Sequence, residues 1–460
     1  MRDYLQSREN KLNLISYLII LSIVFILIFN IMFYHPILGY DGEAHDSYID
    51  HISRYLPDSL NLPLKENTRE FFNPPIAYLF PSFIQVACRN LIEAENLLME
   101  CKPYYNKITQ IFQALLYLLT LLINMTTIKS FLRSKKLINL NYLILVAILA
   151  VNYRTISMIR GEVYILFFMS LLINRFLKLY KQNYKTKKLD LLIFGLLVGG
   201  LALSRQWAFL LFPGFFIIIF LIPKVSRLNY IKFITGAFSI GFLVSSWFYF
   251  NLFFEYGSFT SFNKDSLGFS LGNQPLSFYL PFNDQITYLF TKPIRPYFSN
   301  QLFPIIYADL WGDYWGYFVF TSKFLDIGRN QMLIGDYLAR VNILSLMPSI
   351  LILFGFYKFT KKNKQNPFIR YISLSVLISF LGFLWFLISY PELPTGDTIK
   401  ATYWVQLFNL LIIPASMWLG GIKEMNYKSY ISMIIFLIIV FIHNFSSYLS
   451  HFPLSFINNI

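Results

Sequence analysis

Charge is scarce in this chain. Only 14% of its 460 residues are Asp, Glu, Lys or Arg, against about 25% in a soluble domain. No soluble domain is large enough to supply the separately folded basic face that a nucleic-acid partner would need. The net charge of +15 therefore needs another explanation. Cysteine is nearly absent. Cys88 and Cys101 are the whole complement; no Cys/His metal-ligand array is present, and their spacing leaves open one disulfide or two free thiols. A Walker loop and a GxGxxG fingerprint are both missing, which argues against an ATP-driven pump. Internal repeats, low-complexity tracts and Pro/Gly/Ser-rich linkers are missing as well, so a single membrane domain is expected.

What remains is apolar. Residues 12–34 carry no charge, more than the roughly 20 residues that cross a bilayer as a helix. The run is too long for a signal-peptide core and has no small-residue cleavage site after it, so it reads as an uncleaved first span. The same length rule predicts spans at 107–128, 137–153, 162–179, 190–204, 206–223, 233–254, 341–357, 371–390, 401–421 and 430–447. The expected fold is thus an all-α polytopic membrane protein of about eleven transmembrane helices. With the N-terminus inside, the short inner segments hold 23 of the 39 basic residues and four of the 24 acids. That is the positive-inside bias, and fusing 190–223 into one span would destroy it. The net charge is a signature of topology. The layout divides into a membrane module 1–255, a long outer segment 256–340, and C-terminal transmembrane helices 341–460.

The acids that do occur gather in the first outer loop, 35–106. Asp41, Glu43, His45, Asp46, Asp50 and His51 fall within eleven consecutive positions. Tyr48, Ile49, Ile52, Tyr55 and Leu56 recur at helical spacing and predict an amphipathic surface helix that Pro57 would end. After Asn73-Pro74-Pro75, the apolar run from Ile76 to Ala87 is too short to span and predicts a second surface helix. Residues 152–162 read as a short outer loop with Arg160 and Glu162 at the mouth of the fourth span. Arg205 sits between the fifth and sixth spans. Lys400 opens the tenth, with Asp397 near it at helical spacing. Each cation is either a phosphate ligand or a helix-end side chain snorkelling to the interface. Glu162 is either a second acid or the partner of Arg160. Asp41 and Glu43 are either functional carboxylates or caps for the helix beginning near Ala44. Trp311, Asp313, Tyr314 and Trp315 read as part of an interfacial aromatic belt.

A first span, an outer loop opening on Asp41-Gly42-Glu43, an amphipathic helix and then Asn73-Pro74-Pro75-Ile76 together resemble the GT-C superfamily of polyprenyl-phosphate-sugar-dependent glycosyltransferases. The likeness is greatest to the branch of the protein O-mannosyltransferases and aminoarabinose transferases, and it covers the chain to about residue 255. In that branch the two acids are adjacent and a histidine precedes the proline pair. Here Gly42 separates the acids and Asn73 stands in the histidine's place.

The resemblance implies inverting transfer of a sugar from a polyprenyl-phosphate donor to a protein, lipid or glycan acceptor, at the outer face of a bacterial inner or plasma membrane. It implies Asp41 as general base, with Glu43 the competing candidate. Arg160, Lys400 and Arg205 would contact the donor phosphate, while Glu162, His45, Asp46, Asn73 and Asp397 would support them. No cofactor is expected, and a divalent cation stays open. Two other readings compete: a lipid-linked sugar flippase or transporter, and a polysaccharide polymerase or ligase. A transporter would place charges at mid-bilayer within broken helices, whereas the predicted spans here are almost free of acids.

Overall fold

A computed structural model describes residues 2–36, 39–92, 97–132, 138–280, 284–319 and 329–450. Among these residues there is no β-strand. The helices run in the order α1 (Arg2–Phe33), α2 (Gly42–Tyr55), α3 (Ile76–Ile92), α4 (Leu97–Leu132), α5 (Ile138–Ala147), α6 (Ala150–Ser157), α7 (Gly161–Lys181), α8 (Lys188–Ala202), α9 (Pro213–Ile217), α10 (Lys224–Tyr256), α11 (Leu276–Tyr279), α12 (Leu302–Trp311), α13 (Arg329–Lys362), α14 (Pro367–Ser389), α15 (Val405–Met425) and α16 (Tyr427–His443). Eight helical segments among the described residues are long and apolar enough to cross a membrane: Leu12–Phe33, Tyr105–Leu132, Gly161–Lys181, Lys224–Tyr256, Ile334–Lys362, Pro367–Ser389, Ala401–Met425 and Tyr427–Tyr448. This is an all-α integral membrane protein. The span containing α15 is the most enclosed of the eight and packs against α4, α5, α7, α13, α14 and α16, while α10 packs against α8.

Three of the expected spans take other forms. The segment expected at 137–153 is α5 and α6, bent by 70° at a two-residue break. Residues 152–157, expected in a loop, instead belong to α6, and every residue of that half-helix is buried. The segment expected at 190–204 is α8, only 15 residues long. The segment expected at 206–223 winds as a 3₁₀ helix over Gln206–Leu211, as α9, and as 3₁₀ again over Ile218–Leu221.

Glycine contacts give the direction of these pieces. A Cβ on Gly195 would meet Ile240 at 2.5 Å, one on Gly199 would meet Val244 at 2.6 Å, and Gly236 lies against Leu191. The register rises together on both helices, so α8 and α10 run parallel and in close approach. The chain between them must therefore return along the length of α8. Its 15 helical residues are long enough to do so: the wider rise of 3₁₀ winding gives about 28 Å, against about 22 Å for α8.

Local chemistry explains the boundaries near the site. Leu56 precedes a proline and is extended at ψ 144°, as the clash with a following proline ring demands, which stops α2 at Tyr55. Asn366 caps α14 by accepting from the N–H groups of Phe368 and Ile369, with Pro367 at the first helical position. Cys88 and Cys101 form a disulfide that ties α3 to α4.

Candidate active site

The acids of the first loop and the cations of later segments meet at one end of the bundle. Asp41 occupies the N-cap position of α2 in a left-handed conformation, φ 54°, yet its side chain makes no capping bond. The carboxylate instead accepts from Lys400 Nζ at 2.9 Å and pairs with Arg69 at 2.8 Å. The Lys400 side chain is only 12% exposed and that of Asp41 21%, so little water screens the pair. Burial alone would raise the Asp41 pKa. The charges of Lys400, Arg160 and Arg69 outweigh it and hold the carboxyl well below the usual carboxylate range. Conversely, burial opposes the Lys400 charge, and Asp41 more than restores it.

Tyr40 is the hub beside this pair. Its ring lies under three cations: Lys400 Nζ at 5.1 Å, and the guanidinium carbons of Arg160 at 5.2 Å and Arg154 at 5.9 Å from the ring centre. Its hydroxyl donates to Asp309 Oδ1 at 2.9 Å, and Asp309 Oδ2 accepts from the N–H of Ala401 at 2.7 Å. One buried carboxylate therefore grips the residue before Asp41 and the residue after Lys400. Arg154 holds Asp309 in turn, at 3.1 Å, and donates to the carbonyls of Asp309 and Gly312. Asp313 lies 3.6 Å from Arg154 and accepts the N–H groups of Tyr317, Phe318 and Val319.

Arg160 is fully buried. Its backbone is extended at the N-terminus of α7, and its guanidinium donates to the carbonyl of Tyr40. Among the described residues, Nε and Nη1 of this guanidinium have no hydrogen-bond partner, so two donors are free beside Asp41. An anion would satisfy them; among the same residues, Arg154 Nε, Trp311 Nε1 and Trp404 Nε1 lack a hydrogen-bond partner as well.

A second buried cluster adjoins the first. Gly161 makes it possible, because a Cβ there would lie 2.1 Å from the carbonyl oxygen of Ser204. That close approach sets Arg205 3.1 Å from Glu162 and 3.6 Å from Glu70. Asn73 donates to Glu70. The stretch leading to it is folded back on α2, with the Thr68 hydroxyl on the carbonyl of Ala44 at 2.7 Å and the Tyr48 hydroxyl on that of Asn73 at 2.9 Å. Burial raises the Glu70 pKa and the charge of Asp41 adds to the rise, offset only in part by Arg205 and Arg160.

The residues singled out in the sequence divide clearly. Asp41, Lys400 and Arg160 converge, and Arg205, Glu162 and Asn73 form the adjoining cluster. Glu162 pairs with Arg205 rather than with Arg160 as the sequence suggested. His45 and Asp46 are buried supports on α2. His45 Nδ1 meets the Tyr78 hydroxyl at 2.8 Å, and Asp46 accepts from Tyr105. Burial, and after it the charges of Arg160 and Arg205, push the His45 pKa down and keep the ring neutral. Glu43 is exposed on the first turn of α2 and stands apart from the Asp41–Lys400 pair. Asp397 is exposed too, in a turn closed by the Ile399 N–H on the carbonyl of Gly396, so no helix links it to Lys400. The aromatic cluster is interior rather than an interfacial belt: Trp311, Asp313, Tyr314 and Trp315 are all buried, and Trp315 Nε1 donates to the carbonyl of Ile399. Arg69, Glu70, Arg154 and Asp309 are the members that sequence reasoning missed. The one available signal was the charged pair Arg69-Glu70 just ahead of Asn73-Pro74-Pro75.

An apolar cavity of about 420 Å³ is lined by Leu310 and Trp311, which follow Asp309 in α12, and by Phe380, Trp404, Leu407 and Leu411 among others; no charged side chain among the described residues lines it. Among the described residues no group of three or more His, Cys, Asp or Glu side chains is placed to hold a metal ion. The chain matches no known protein-family model and no curated protein sequence.

Proposed function

We propose that this protein is a membrane glycosyltransferase that moves a sugar from a polyprenyl-phosphate donor to an acceptor on the outer face, with inversion and with Asp41 as general base. The observation that carries this reading is the Asp41–Lys400 pair, joined across 359 residues and flanked by the free donors of Arg160. A carboxylate beside an unsatisfied guanidinium suits the reacting carbon and phosphate of a lipid-phosphate sugar, and the apolar cavity lined by Leu310 and Trp311, the residues after Asp309, suits its tail. The parallel course of α8 and α10 supports the eleven-crossing topology, because it requires 206–221 to return across the slab. That topology and the basic bias of the short loops support a site on the outer face.

In this mechanism the acceptor heteroatom attacks the anomeric carbon and passes its proton to Asp41. The bond from that carbon to the phosphate oxygen breaks, and the polyprenyl phosphate leaves with the electron pair. Lys400 and Arg160 offset its charge. A donor phosphate draws Lys400 and Arg69 away from Asp41, so the carboxylate gains basicity only once substrate is in place. General-base assistance of this kind is worth roughly 10²–10⁴-fold.

The test is transfer from synthetic polyprenyl-phosphate sugars by the purified full chain. Asp41→Asn should lower the rate by at least about 100-fold in protein that still unfolds cooperatively, while Glu43→Gln keeps it. An inactive Glu43→Gln beside an active Asp41→Asn moves the base to Glu43. Wild-type protein that flips the labelled lipid without forming a glycosidic product overturns the enzyme reading.

A further inference from the structure

A second charged site lies at the opposite end of the bundle. Helix α7 begins at the buried Arg160 and runs 21 residues, about 30 Å of rise, to a cleft between its last turns and the start of α8. The cleft has a volume of about 610 Å³, and four cations line it: Arg175, Lys178, Lys185 and Lys187. One acid, Asp190, stands against them, and its carboxylate already accepts from the backbone N–H of Lys187 as part of the α8 cap.

The turn that presents two of these lysines is built, not slack. Asn183 and Tyr184 both adopt left-handed conformations, φ 51° and 57°, which non-glycine residues seldom do. The Tyr184 N–H donates to the carbonyl of Leu179 at 2.8 Å. Its ring is buried edge-on against Tyr230 with centres 4.7 Å apart. That anchor fixes where Lys185 and Lys187 leave the backbone.

An apolar stripe continues from the cleft. Leu189 is part of its wall. Leu192 and Leu196 follow at three and seven residues, on the same face of α8, and all three are exposed. A free phosphate would need only the cations, whereas a phospholipid would use both features. Basic pockets between spans on the cytoplasmic side suit anionic headgroups.

We propose that this cleft binds the headgroup of an anionic phospholipid, with its acyl chains lying along Leu189, Leu192 and Leu196. The site is separate from the Asp41 cluster and does not depend on the reaction assigned there.

The experiment is native mass spectrometry of the detergent-purified full chain incubated with phosphatidylglycerol or phosphatidylcholine. Wild-type protein should retain phosphatidylglycerol in preference, and the triple variant Lys178→Gln/Lys185→Gln/Lys187→Gln should lose at least about tenfold of that preference. The charge-matched control Lys224→Gln/Lys232→Gln/Lys428→Gln, on the same end of the bundle but outside the cleft, should keep it. Should the triple variant fail to melt cooperatively, the loop double variant Lys185→Gln/Lys187→Gln takes its place. Equal retention of the two lipids overturns the proposal, as does an equal loss in both triple variants, which would mark a diffuse field. Displacement of the lipid by millimolar inorganic phosphate would show a soluble-anion site instead and overturn the lipid assignment.

Discussion

Replacing Asp309 by Asn tests the clamp that sets Asp41 against Lys400. The carboxylate receives three donors: the Tyr40 hydroxyl at 2.9 Å and Arg154 at 3.1 Å on Oδ1, and the Ala401 N–H at 2.7 Å on Oδ2. Asparagine offers one acceptor and one donor group. Turned one way, its NH₂ faces the Ala401 N–H; turned the other, it faces Tyr40 and Arg154. Either way a fully buried donor goes unpaired, which costs about 1–3 kcal/mol. The change also removes a charge beside Arg154, itself only 1% exposed. Removing one partner of a buried ion pair costs about 3–5 kcal/mol, reduced here because Asp313 remains 3.6 Å away. The two terms describe overlapping losses, so a destabilisation of about 3–4 kcal/mol is expected. Denaturant or thermal unfolding in micelles would measure it, with Arg154→Met and the double variant completing a cycle. The pair should show a coupling of about 2 kcal/mol. An Asp309→Asn protein within about 0.5 kcal/mol of wild type, or strictly additive single effects, refutes the clamp.

Two further changes address the adjoining cluster. Gly161→Ala forces a Cβ toward the Ser204 carbonyl, 2.1 Å away, and should destabilise by about 1–3 kcal/mol; an unchanged unfolding midpoint would show that the turn at 203–205 is free to retreat. For Glu70, burial and then Asp41 raise the carboxyl pKa. The folded chain thus holds that proton more tightly than the unfolded chain. The stabilisation is complete below the ordinary Glu value of about 4.3 and is lost as pH rises through the folded value. Glu70→Gln should therefore gain on wild type in melting temperature as pH rises from about 4, and a difference that does not vary with pH contradicts the assignment.

The long apolar runs were legible because hydropathy and length are local properties, and eight of the described helices coincide with expected spans. The two helices of the first loop were legible too: α2 and the start of α3 at Ile76 follow from spacing and from the proline pair. Pairing was not legible. Nothing local marks Arg154 or Asp309 as buried partners, since a charged residue beside a short apolar run reads as a loop residue. The 70° bend that carries Arg154 into the interior depends on tertiary packing. The 3₁₀ winding at 206–221 escapes a search for a 3.6-residue period. Tyr314 and Trp315 were misread because aromatic side chains suit a membrane interface and a packed interior equally well. The convergence of Asp41 with Lys400 is a property of the whole bundle, and only the placement of both on one side was available from topology.

The spread of these partners along the chain governs the order of assembly during synthesis. Arg154 precedes Asp309 by 155 residues, roughly 8–30 s of translation at 5–20 residues per second. Throughout that interval its guanidinium has been made and its carboxylate has not. Asp41 has Arg69 as a partner early, but its second cation, Lys400, emerges only 359 residues later. A ribosome stalled before residue 309 leaves in the bilayer a chain with an unneutralised arginine on a half-helix, the kind of exposed charge that marks an unassembled membrane protein for removal. The charge cluster therefore closes only after Asp309 and Lys400, both in the last third of the polypeptide, have been made.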